Sequence, residues 1–198
     1  MLSNKDEYII TVDGWSYRKI EIAFEKFLNP KYQDDARVSV KAMYEYNLTK
    51  DEALHVLAYT GFSAMWINSA LKKNVLNSNH NKFVDFLDKA LAKLPSTSFY
   101  KLFRMVSGNE FEYAVSLEVG KEYIIPQYLS TAKEDYNNTD EVWIITTLNE
   151  ESKGRDIENI SNCRDEKEVL FVRGFKFKVV NYRKINDKRY FYLEEVAH

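Results

Sequence analysis

The chain has 198 residues, 45% of them hydrophobic and 15% aromatic, with 30 acidic against 28 basic side chains and a net charge of −2. That length and apolar content suffice for one folded domain and exclude disorder of the whole chain. The near balance of charge gives no overall drive toward nucleic acid or an anionic membrane, and a single cysteine, Cys163, excludes an intrachain disulfide or a Cys-rich zinc site.

The start, MLSNKDEYIITVDG, is charged within its first seven residues, and no segment approaches the roughly 20 apolar residues of a membrane helix. The sequence therefore predicts no signal peptide and no transmembrane segment. It points to a cytoplasmic protein, of the producing or of a host cell.

Residues 1 to about 95 read as helical. Ile20, Ala23, Phe24, Phe27 and Leu28 have helical spacing and stop before Asn29-Pro30. Thr49 followed by Glu52 has the form of a capping box, with Leu54, Leu57 and Ala58 as the apolar face behind it. A helix continues or restarts around Gly61 with Ala64, Ile67 and Leu71 on one stripe, and Phe83 to Leu94 forms another that Pro95 ends.

From Ser96 the pattern changes to short β-branched or aromatic runs between polar turns: SFYKLFRMVSG, EYIIPQYLST, DEVWIITTLN, KEVLFVRG, FKFKVVNYRK and RYFYLEEVA. The last two read as a hairpin turning near Asn186-Asp187. Polar loops are expected at Tyr136 to Asp140 and Asn149 to Asp165. Helices first and strands second give an α+β class, a single domain over 1–198 with a helical part to 95 and a β-rich part from 96.

Several chemistries are set aside. The six glycines lie too far apart for a phosphate-cradling loop, and His55, His80 and His198 lack metal-ligand spacing, so no metal is expected. No nucleophile elbow is present.

Three features remain. Glu166 and Glu168 stand one residue apart at the mouth of an apolar run, where strand alternation puts both on one face. By itself such a pair reads as a solvated strand end. Arg104 lies in an otherwise apolar strand, where a guanidinium needs an anionic partner and by itself reads as a structural ion-pair residue. Ser130 and Thr131 end another apolar strand, where hydroxyls also serve as caps. Their order is Arg, Ser-Thr, Glu-x-Glu, separated by 26 residues from Arg104 to Ser130 and 38 from Ser130 to Glu168.

In that order, LFRMVSG, YLSTA and EKEVLFVRGFKFKVV resemble the mono-ADP-ribosyltransferases of the Arg, Ser-Thr-Ser, Glu-x-Glu class, and YTGFSAMWINSALKK is similar to the helical segment before the catalytic core of many exoenzymes. Ala132 stands where the class has its second serine, and the segment before Glu166 carries Ile157 and Ile160 but no aromatic.

The resemblance implies a helical cluster on a split antiparallel sheet core of ADP-ribosyltransferase type, with NAD as substrate in a cleft and no metal. It gives Glu168 the charge-stabilising role, Glu166 the activation of the incoming nucleophile, Ser130 the orientation of Glu168, and Arg104 the NAD diphosphate or a brace of the site. Thr131, Tyr59 and Asn68 join Ser130 and Arg104 as NAD-binding candidates.

The implied reaction is transfer of ADP-ribose to an arginine of a target protein with release of nicotinamide. NAD glycohydrolysis and a non-catalytic binding module are the alternatives, and a nucleic-acid acceptor stays open. The size fits a bacteriophage effector acting on host machinery, with a toxin domain as the other setting. Neither the target nor the oligomeric state is legible.

Overall fold

A computed structural model describes residues 43–106, 117–136, 139–161 and 164–197. The expected helix over Ile20–Leu28, together with Cys163 and His198, lies outside them. The chain divides into two compact units, Met1–Pro95 with Ile157–Asp165, and Ser96–Asp156 with Glu166–His198.

In the first unit, helix α1 (Lys50–Ala58) starts with the expected reciprocal cap. The Glu52 N–H donates to Thr49 Oγ1 at 3.2 Å, and the Thr49 N–H donates to Glu52 Oε2 at 2.7 Å. That satisfies two of the donors a helix start leaves open. Glu52 also receives Lys93 Nζ at 2.7 Å.

A single π-turn, Tyr59–Ser63, follows, and Gly61 breaks the helical path with φ −97° and ψ −111°. The helix resumes as α2 (Ala64–Lys73) and ends at Asn74 in the left-handed region, φ 53°. Helix α3 (Ser78–Lys93) is capped by Asn77, whose Oδ1 accepts the Asn79 and His80 N–H groups at 2.9 Å. Its exit at Leu94 is extended, as a residue before proline prefers. Buried His55 lies among rings, 4.7 Å from Phe86 and 5.0 Å from Phe83. That is a packing role. No described helix is long and apolar enough to cross a membrane.

The second unit is a sheet of β1 (Lys101–Val106), β2 (Glu122–Ile124), β3 (Leu129–Ala132), β4 (Glu141–Thr146), β5 (Gly154–Asp156), β6 (Glu168–Phe171), β7 (Lys176–Ile185) and β8 (Lys188–Val196). Their spatial order is β2-β7-β8-β4-β1-β3-β6-β5. Neighbours run antiparallel except β4 and β8, which are parallel. Leu102, Ile145, Phe171, Phe175, Phe177 and Leu193 are fully enclosed in its core. The class is α+β, as the sequence predicts.

The sheet is nearly severed in its middle. β1 meets β4 over six partner pairs, but meets β3 only at Phe103 and Ala132. Within the ladder a five-strand half and a three-strand half thus share one rung, which gives the expected split core within one continuous strand order, while the Thr97 N–H to the Gly154 carbonyl oxygen at 2.9 Å and the Lys153 N–H to Glu195 Oε1 at 2.6 Å also link the two sides.

Two strand readings change. The run EYIIPQYLST is divided into β2 and β3, with Pro126 between them, because proline cannot supply the ladder N–H. The stretch Asn149 to Asp165, read as one loop, contains β5. There Gly154 lies so close to its neighbours that a Cβ would stand 3.1 Å from both Thr97 Cγ2 and Val169 Cγ1. The hairpin turns at Asn186 and Asp187, with φ 50° and 66°, the twist that two-residue hairpin turns require.

Candidate active site

Glu168 opens β6, directly opposite Ala132 of β3, and is 3% exposed. Burial pushes its carboxyl up to about 7. A hydrogen bond from the Ser130 hydroxyl and the charge of Arg104 pull the other way, while the nearby charge of Glu166 adds to the rise. A buried carboxyl so balanced titrates near neutrality, where it responds to any positive charge placed beside it.

Ser130 and Arg104 bracket the seam of the sheet. Ser130 lies on β3 opposite Leu170, and Arg104 on β1 opposite Trp143. The half-buried guanidinium donates from Nη1 to the Ser130 carbonyl oxygen at 3.3 Å. One hydrogen bond thus crosses the line where the ladder itself has a single rung.

Glu166 departs from the sequence expectation. It is the last residue of a one-turn 3-10 helix, Arg164–Glu166, and is exposed. The strand begins only at Glu168, and Lys167 between them has φ 45°. Strand alternation therefore does not reach Glu166. The two carboxylates come near each other through a left-handed bend, one buried in the ladder and one in solvent.

Thr131 is placed on its own. Its hydroxyl, buried, donates to the Val169 carbonyl oxygen at 2.6 Å, on the side of β3 opposite Ser130. This locks β3 to β6 behind Glu168. In the first unit, Asn68 Nδ2 donates to the hydroxyl of enclosed Tyr59 at 2.9 Å, while Asn68 Oδ1 is buried without a hydrogen-bond partner among the described residues. Such an acceptor is costly unless something supplies a donor.

A family model described as ADP-ribosyltransferase exoenzyme matches residues 37–197. The chain belongs to this exoenzyme family. Among curated proteins, none matches the sequence. Solved structures share the exoenzyme fold. The Clostridium limosum C3 exoenzyme is 18% identical with a TM-score of 0.68, over 83% of this chain and 96% of that one. C3stau2 from S. aureus, solved with NAD, is 12% identical with a TM-score of 0.67, over 83% and 95%. Exoenzyme S from Pseudomonas aeruginosa, solved with human 14-3-3 protein beta and Carba-NAD, is 19% identical with a TM-score of 0.66, over 89% and 88%.

In this exoenzyme chain the structure gathers Arg104, Ser130 and Glu168 at the seam, with Glu166 beside them. Thr131 supports the same strands from behind, and Tyr59 with Asn68 belongs to the other unit. Thr131→Val is expected to lower the unfolding free energy by about 1–2 kcal/mol, the scale of one buried hydrogen bond, in urea denaturation.

Sequence reasoning passed over Lys133. Its side chain is only 9% exposed, and Nζ is 2.7 Å from Asp156 Oδ2. The signal available was a lysine directly after the Ser-Thr-Ala run, which alternation places on the Thr131 side.

Proposed function

We propose that the protein takes NAD as substrate and transfers its ADP-ribose to an arginine side chain of a target protein, releasing nicotinamide. The observation that carries this reading is the buried Glu168 carboxyl, hydrogen-bonded by Ser130 and poised near neutrality beside Arg104. Family membership supports it.

The glycosidic bond between nicotinamide and the ribose C1′ breaks with its electron pair leaving on nicotinamide, and C1′ acquires oxocarbenium character. A carboxylate fixed next to that centre stabilises it without reorganising. Ser130 holds the carboxylate in one rotamer, and Arg104 offers a planar fork of donors to the diphosphate. The acceptor guanidinium loses a proton to Glu166, and its nitrogen lone pair then forms the new bond to C1′.

The exposure of Glu166 favours a second outcome at the same centre. Water that reaches it can capture the oxocarbenium, giving NAD hydrolysis. Incubating the protein with labelled NAD and a cell lysate separates the two. Label on protein, mapped to arginine by mass spectrometry, is the expected result. Nicotinamide release without labelling would leave hydrolysis as the activity, label on nucleic acid or another side chain would replace the acceptor, and no turnover would remove the reading.

A further inference from the structure

The described ladder of β3 and β6 ends at Ala132 and Glu168, yet the chain beyond it is held on both strands. The Lys133 N–H donates to the Lys167 carbonyl oxygen at 3.3 Å. The Lys133 ammonium reaches Asp156, the last residue of β5, at 2.7 Å and lies 4.8 Å from the centre of the Phe99 ring. The next residue, Glu134, accepts Lys167 Nζ on Oε1 at 2.5 Å. One dipeptide thus grips the point where residues 157–167 depart and the point where they return.

We propose that Lys133 and Glu134 are positioning residues that hold Glu166 in register with Glu168, and so favour transfer to an acceptor over hydrolysis. The proposal rests on the function argued above. Glu168 is fixed by its ladder and by Ser130 whatever happens at Lys167. Glu166 has no ladder, and its direction depends on the Lys167 backbone.

A non-glycine residue at φ 45° persists only where its surroundings over-determine it. Here those surroundings include the Lys133 N–H and the Glu134 carboxylate. Of the two ion pairs, Glu134 with Lys167 is exposed and holds weakly. Lys133 with Asp156 is sheltered, and the ring face beneath the ammonium adds to its hold. Lys133 is therefore the anchor. Releasing it lets the Lys167 peptide relax toward an extended conformation and swings Glu166 away, while the Glu168 site stays assembled.

The test compares wild type, Lys133→Met, Lys133→Arg and Glu134→Gln in two assays run in parallel, incorporation of labelled NAD into lysate protein and nicotinamide release with water as the acceptor. Hydrogen exchange of the peptide covering residues 164–168 is followed in the same samples. For Lys133→Met, transfer is expected to fall about tenfold or more, the scale on which misplacing a reacting group acts. Hydrolysis should stay within about twofold, residues 164–168 should exchange faster, and Lys133→Arg should recover most of the transfer.

Glu134→Gln should show a smaller shift in the same ratio. A parallel loss of both reactions, or unchanged exchange at 164–168, overturns the proposal. Wild type inert toward NAD would instead sink the proposed function, and the clasp would then stand or fall on exchange alone.

Discussion

Glu168→Gln is expected to lower both nicotinamide release and transfer by about 10²–10³-fold, the loss seen when one fixed electrostatic group is removed from a transition state. Glutamine keeps the shape and can still accept the Ser130 hydroxyl, so the loss reports charge and not folding. The pH profile should change with it. Wild-type kcat/KM should rise as the pH passes about 7, because the ionised carboxylate is the active form in the free enzyme. The variant should have no such limb.

Stability runs the opposite way. The Glu168 carboxyl sits at about 7 in the folded protein against 4.5 as its ordinary value, so between those limits the folded state holds a proton that the unfolded chain has lost. Its contribution is full below 4.5 and is lost as the pH rises to about 7, by roughly 3 kcal/mol. Glu168→Gln should therefore melt higher than wild type above that pH, and a lower melting temperature there would contradict the burial argument.

The second large effect falls on Glu166. Glu166→Gln is expected to cut transfer by about 10²–10⁴-fold, the usual contribution of a positioned general base, and to reduce hydrolysis far less. The reason is geometric. Glu166 is exposed beyond the strand, whereas Glu168 is enclosed in it. Measuring both reactions on the same preparation decides the matter, and equal losses in the two would place Glu166 in bond cleavage and not in acceptor activation.

Local signals were legible in the sequence wherever neighbouring residues decide the outcome. The reciprocal cap of Thr49 and Glu52, the stop before Pro95 and the turn at Asn186-Asp187 all depend on contacts within a few residues. What was not legible depends on distant partners. β5 is the polar triplet Gly154–Asp156, a strand only because Phe171, Leu170 and Val169 pair with it. Lysine has no leaning to the left-handed region, so nothing in Glu-Lys-Glu announces the bend that separates the carboxylates.

The candidate site was readable in part. Arg104, Ser130 and Glu168 were picked out by order and resemblance, and the fold gathers them. Thr131 carried the same motif, but alternation turns its hydroxyl to Val169. The bond from Asn68 to Tyr59 spans nine residues across a π-turn, where ordinary helical spacing no longer tells which side chains meet.

The single rung between β1 and β3 has a mechanical consequence. The ladder supplies one cross-link there, so the hold between the three-strand and five-strand halves rests on bonds outside it, among them the Thr97 N–H to the Gly154 carbonyl oxygen and the Lys153 N–H to Glu195 Oε1. The Arg104 bond to the Ser130 carbonyl is a strut across that line. A diphosphate gripped by Arg104 and a ribose held at Glu168 would brace the same gap. On the function proposed above, bound NAD would then act as a splint across the single rung.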